Sequence, residues 1–177
     1  MPQSGFFFTM KKMLQGPRSV KTIKAAAAIA IKDEKAFAEL VKIMMDGKDE
    51  ALAFLAAWTI SHVAEKNKTI AVAYMPQFLE KIQSTKAEGI MRSIVKVWEL
   101  IQIPKEYHWE VADICFNFLK SNTAPIAVKA FSISVLQHLM NDLPELKNEV
   151  VFELEKQLPH ASAGFKVRAI GFLKMYS

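Results

Sequence analysis

Val128-Lys129-Ala130-Phe131 decides the fold, because its order of apolar, basic, small and apolar residues recurs along the chain. The same order is found in Ile23-Lys24-Ala25-Ala26, Met91-Arg92-Ser93-Ile94 and Val167-Arg168-Ala169-Ile170. Leu55-Ala56-Ala57-Trp58 keeps every column except the basic one. The small residues stand at 25, 57, 93, 130 and 169, at intervals of 32, 36, 37 and 39. A period of this length is the signature of stacked supersecondary units, each unable to bury both of its faces alone.

A second column repeats between these runs. Phe37, Leu40, Val41 and Met44 form one apolar stripe at helical spacing, and Met75, Phe78, Leu79 and Ile82 form the next. Val111, Ile114, Cys115, Phe118 and Leu119 follow, and then Val150, Val151, Leu154 and Leu158. The last anchors, Met44, Ile82, Leu119 and Leu158, are 38, 37 and 39 apart. Two columns sharing one period predict about five copies of a two-helix unit. Asp46-Gly47 is expected to close the first pair, and Ser84-Thr85 and Ser121-Asn122-Thr123 to supply caps. Pro104, Pro125, Pro144 and Pro159 fall in connections, and Pro76 in a first turn. No stretch alternates with period two, so no sheet is expected.

In this arrangement the small column lets neighbouring helices approach, while Trp58, Ile94, Phe131 and Ile170 fill the core between repeats. Helices such as 51–64 are apolar nearly all round, as burial between neighbours requires. The final helix, 164–176, is expected to act as a cap. The fold expectation is all-α, a right-handed α-α superhelix of about four to five helix pairs. Residues 1–18 form a basic N-terminal segment and 19–177 a single repeat domain.

Composition agrees with a packed domain. Of 177 residues, 51% are hydrophobic and 23% charged, a globular balance. The single cysteine, Cys115, excludes an intramolecular disulfide and favours a reducing, cytoplasmic setting. Cys115 itself reads as a small buried hydrophobe. No apolar run approaches the ~18 residues of a membrane span, so no membrane partner is expected. Residues 1–32 hold six basic side chains and no acidic one, leaving 17 basic and 18 acidic residues for the remainder. The net +5 therefore belongs to the N-terminal segment, either as an anion-binding arm or as a solvated leader. Met10 is a candidate alternative start, with Met1–Phe8 as an extension.

Two-helix units of this length resemble HEAT repeats over about residues 19–177. The tetratricopeptide pattern of Trp, Leu-Gly and Tyr is missing from every copy. Within the HEAT-like group, Val167-Arg168-Ala169-Ile170-Gly171-Phe172 resembles a late repeat of the bacterial alkylpurine DNA glycosylases, and Val128-Lys129-Ala130 resembles the helix before it. That resemblance implies Lys129 facing a DNA backbone and Phe172 at a lesion cleft. It departs at the catalytic carboxylate, because Arg92 stands where the family has Asp. A fold relative without the activity is what remains.

Motifs for chemistry are scarce: there is no phosphate-cradling Gly-rich loop, His-Glu-x-x-His, paired Cys site or Gly-x-Ser-x-Gly. No cofactor or metal is expected, and an enzyme is the less favoured reading. His62 and His138 read as core or half-buried, and His108 has only Glu110 and Asp113 near it in sequence. Trp109 and Asp113, four apart, share a helix face that suits a cationic ligand or simply anchors a helix start. Lys24, Arg92, Lys129 and Arg168 occupy one column. That row tracks an acidic peptide or phosphate backbone if exposed, and forms an inter-repeat ladder if paired. The leading expectation is a scaffold binding a protein or peptide along its second helices, with nucleic acid as the alternative ligand.

Overall fold

The computed structural model describes residues 9–176; Met1–Phe8 lie outside the described residues. The helices are α1 (Met10–Leu14), α2 (Val20–Ala30), α3 (Glu34–Met45), α4 (Glu50–Lys66), α5 (Lys68–Val72) and α6 (Met75–Ser84). They continue with α7 (Glu88–Leu100), α8 (His108–Lys120), α9 (Ile126–Leu139), α10 (Leu146–Gln157) and α11 (Ala163–Tyr176). Short 3-10 turns cover Lys105–Tyr107 and Leu158–His160. There is no strand among the described residues, and no helix among them is long and apolar enough to cross a membrane. The expected pairs are α2 with α3, α4 with α6, α7 with α8 and α9 with α10, followed by α11.

Local chemistry sets the boundaries. Side chains of Ser19, Asp33 and Asp49 accept from backbone N–H groups at the starts of α2, α3 and α4, satisfying donors that a helix leaves orphaned. Pro76 lies in the first turn of α6, and Pro125 immediately precedes α9. Gly47 does not close α3 in a left-handed turn, since no described glycine has positive φ. Asp46 ends that helix in an extended conformation, and its carboxylate accepts from Lys48 N at 3.1 Å.

The chain forms two compact units, one up to Ser93 and one from Ile94. In the first, α4 packs on α2 and α3, and α3 on α6. Ile23, Ala26, Phe37, Leu40, Met44, Ile60, Met75 and Phe78 form its solvent-free core. Helix α1 joins this unit against α2, α3 and α4. Its Met10 and Leu14 are buried, and the Glu39 carboxylate accepts from Met10 N and Lys11 N at 3.0 and 3.2 Å. In the second unit α9 packs on α8 and α11, and α10 on α8 and α11. Trp98, Val111, Cys115, Leu119, Leu136, Leu154 and Phe172 are its core. First helices thus stack on first helices and second on second, as a repeat requires.

The small column is buried at Ala57, Ser93, Ala130 and Ala169. The first copy is out by one: Ala25 is exposed and Ala26 is buried. The last apolar column also differs from expectation. Ile94 is buried, Trp58 and Phe131 are only half-buried, and Ile170 is 40% exposed. Ile170 lies on α11, which no further helix pair follows among the described residues.

Candidate functional site

The second helices of the later unit present the largest exposed aromatics. Trp109, on the first turn of α8, is 56% exposed, and Phe152 on α10 is 68% exposed. Asp113 shares the Trp109 face and accepts from Asn117 Nδ2 at 3.1 Å. Farther along the face, Lys120 Nζ lies 4.6 Å from the centre of the half-buried Phe116 ring. Helices α8 and α10 pack on each other, and the Leu119-to-Leu158 spacing makes Phe152 the counterpart of Asp113. Sequence reading missed Phe152. The available signal was its place outside the stripe of Val150, Val151, Leu154 and Leu158, where a polar residue belongs.

The basic column divides. Lys24 and Arg92 are exposed, with no ion pair or hydrogen bond from their side chains among the described residues. Lys129 Nζ donates to Ser121 O at 3.0 Å and to Gln157 Oε1 at 2.6 Å, with the Phe165 ring 5.5 Å away. Gln157 Nε2 in turn donates to Leu119 O and to the buried Glu153 carboxylate. Burial holds the Lys129 amine below its ordinary range, an effect that the Glu153 charge partly opposes.

Arg168 Nη1 donates to Glu99 and to the Ser134 hydroxyl, joining α11 to α7 and α9. Lys96 Nζ holds the other Glu99 oxygen at 2.7 Å. Both cations lie 5.0 Å from the centre of the Phe131 ring, within cation–π range. Burial pushes the Glu99 carboxyl up, but the Lys96 and Arg168 hydrogen bonds and their charges outweigh it, so its pKa lies below the ordinary value.

A contrasting arrangement lies in the first unit. Phe54, Trp58 and His62 are half-buried at four-residue spacing along α4. The Phe54 and Trp58 rings stack at 5.9 Å, and Trp58 lies 6.1 Å from the His62 ring. Beside His62 an open cleft of about 450 Å³ is lined by Lys24, Ala27, Ala28 and Ile31 from the α2 side and by His62, Glu65 and Lys66 from α4.

The remaining candidates are placed elsewhere. Phe172 is a core side chain, 1% exposed, with its ring 4.7 Å from that of Tyr176. His108 is buried and its Nε2 is 2.9 Å from Ile103 O, whereas Asp113 is exposed on another side of α8. No described group of three His, Cys, Asp or Glu residues is placed to hold a metal. His62 is half-buried as expected, but His138 is exposed, because it falls on the outer face of α9 despite its apolar neighbours. Cys115 is fully buried, which pushes its thiol up to about 12 against the lowering effect of the Ser132 hydroxyl. It is therefore a protonated, unreactive thiol at neutral pH.

Compared with known proteins, the chain matches a family model described as a HEAT repeat domain over residues 10–169. No curated protein and no solved structure matches the chain.

Proposed function

We infer a function from the premise that this chain belongs to the HEAT repeat domain family: it is a scaffold that binds a protein or peptide across its second helices. The observation that carries the reading is the exposure of Trp109 and Phe152 on the adjacent helices α8 and α10. Large aromatics left in water cost solvation, and where they contribute to binding they are the anchors that fill a partner's pockets. The exposed charges of the same two helices are mixed, Asp113, Glu149 and Glu155 beside Lys120, Lys147 and Lys156, so the apolar anchors select the ligand and the charges set its register.

The alternative, a nucleic-acid-binding relative of the alkylpurine DNA glycosylases, draws on Lys24, Arg92, Lys129 and Arg168. It is the weaker reading, because Lys129 and Arg168 are already engaged by protein groups.

The test is a peptide library displayed on phage and panned against the full chain, followed by fluorescence anisotropy with an enriched peptide. Trp109→Ala is expected to weaken binding about thirtyfold, the scale of losing one anchor. Phe152→Ser is expected to weaken it severalfold without lowering stability, since its side chain packs mostly against solvent. Enriched peptides that bind the double variant as tightly as the parent chain would sink the reading.

A further inference from the structure

The later unit shows what its first-helix surface accepts. There a carboxylate, Glu99, is held by Lys96 and Arg168, both of which lie over the Phe131 ring, and Arg168 also donates to the Ser134 hydroxyl. By sequence column Arg92 corresponds to Arg168 and Trp58 to Phe131, but Ser61 is buried with its hydroxyl donating to Trp58 O at 2.7 Å, and none of the three lines the open cleft of the first unit. What is missing is the acid. Helix α2 has none along its length, and Ala28 and Ile31 line the open cleft instead.

Charge in that cleft is left over. Lys24 and Lys66 both line it, are exposed, and have no ion-pair partner among the described residues. Its single acid, Glu65, is 3.3 Å from His62 Nδ1. The floor is apolar and small, and the stacked rings of Phe54 and Trp58 continue along α4 from His62.

We propose that this cleft binds an acidic, amphipathic helical segment of a partner protein, taking one of its carboxylates between Lys24 and Lys66. The segment's aliphatic side chains rest on Ala28 and Ile31. A peptide fits better than a nucleic acid on two grounds. Two lysines against one acid leave a small excess of positive charge that a single carboxylate offsets, and the apolar floor has no role against a phosphate backbone. This surface lies on the other unit from Trp109 and Phe152 and stands independently of the function proposed for them.

The experiment uses the full chain and three fluorescein-labelled probes, read by anisotropy. They are a synthetic amphipathic peptide with glutamates and leucines at helical spacing, its counterpart with lysines for glutamates, and a single-stranded oligothymidylate. The glutamate peptide is expected to bind and the lysine peptide not to. Lys24→Glu with Lys66→Glu, both exposed and harmless to folding, is expected to weaken the glutamate peptide at least about tenfold. Ala28→Glu, which installs an acid in the cleft, is expected to compete with the peptide and weaken it similarly. Trp109→Ala should leave its affinity unchanged. Absence of binding by the glutamate peptide, equal binding by the lysine peptide, or affinity untouched by the cleft variants overturns the proposal. So does preferential, steeply salt-dependent binding of the oligothymidylate, which would assign the cleft to nucleic acid.

Discussion

Replacing Trp98 with alanine is expected to destabilise the protein by about 3–5 kcal/mol, the usual cost of emptying a Trp-sized core site. Trp98 lies on α7 with no exposed surface and is the largest fully buried side chain of the described residues. The loss combines forgone burial of a large apolar area with a cavity that helices fixed at both ends cannot close. In thermal unfolding it corresponds to a fall of roughly 10 °C for a chain of this size. Trp98→Phe separates the two polarities of the indole. The Trp98 Nε1 is buried without an acceptor among the described residues, so the phenyl ring forfeits volume but no hydrogen bond. Its cost should be well below half that of alanine. A Trp98→Ala variant within 1 kcal/mol of the parent chain by urea unfolding, where ordinary surface substitutions fall, would show that the α7 core is not packed as described.

Glu99→Gln is the second large effect, about 1–3 kcal/mol at neutral pH. The substitution keeps the shape of the side chain but leaves Lys96 and Arg168 facing each other without the anion that both now share. Glu99 is 12% exposed, so water replaces little of what is lost. The pH dependence follows from the sign of its shift. The Glu99 pKa is lower in the folded chain than its ordinary value of 4.5, which the unfolded chain keeps. Above that unfolded value the carboxylate is charged in both states, and its stabilisation is fully present. As pH falls below it, the unfolded chain takes up the proton first, and the stabilisation drains away until the folded value is passed. The gap between the parent chain and Glu99→Gln, measured by urea unfolding from pH 7 to about 3, should be flat at first and then close. A gap constant across the acid range would mean that charge is not its source.

The periodic part of this molecule was legible because burial must recur wherever helices stack. Ala57, Ser93, Ala130 and Ala169 are small since neighbouring helices pass there, and composition alone marks such positions. The register of the first copy was not legible. In the run Ala25–Ala28 identity carries no direction, and only packing shows that Ala26 is the buried one. Helix α1 was equally hidden. Five residues do not form a helix unaided, and the carboxylate that caps it comes from Glu39, far along the chain.

The candidate site was legible in type but not in use. Lys129 and Arg168 share a column, yet one reaches toward Gln157 on α10 and the other toward Glu99 on α7. Which way a long side chain turns depends on acceptors up to 69 residues distant, and spacing does not encode it. His138 was misjudged because apolar neighbours in sequence say little about which face of a helix a residue occupies. Trp109 and Asp113 share a face as their four-residue separation requires, whereas Phe152 betrays itself only as an apolar residue outside the stripe of Val150, Val151, Leu154 and Leu158.

The close approach of α4 and α7 in the first unit binds two positions into one heritable trait. A Cβ at Gly89 would lie 2.5 Å from the Phe54 ring, too near for both to remain as they are. Alanine at 89 favours the helix by about 1 kcal/mol in isolation, so drift pushes that position away from glycine while the ring holds it back. Release comes only if position 54 shrinks first or at the same time. Among relatives of this chain, a large residue at 54 should accompany glycine at 89, and side chains at 89 should accompany small ones at 54. The spacing of two helices thereby sets an order of change: position 54 can shrink on its own, whereas a side chain at 89 must follow or accompany it.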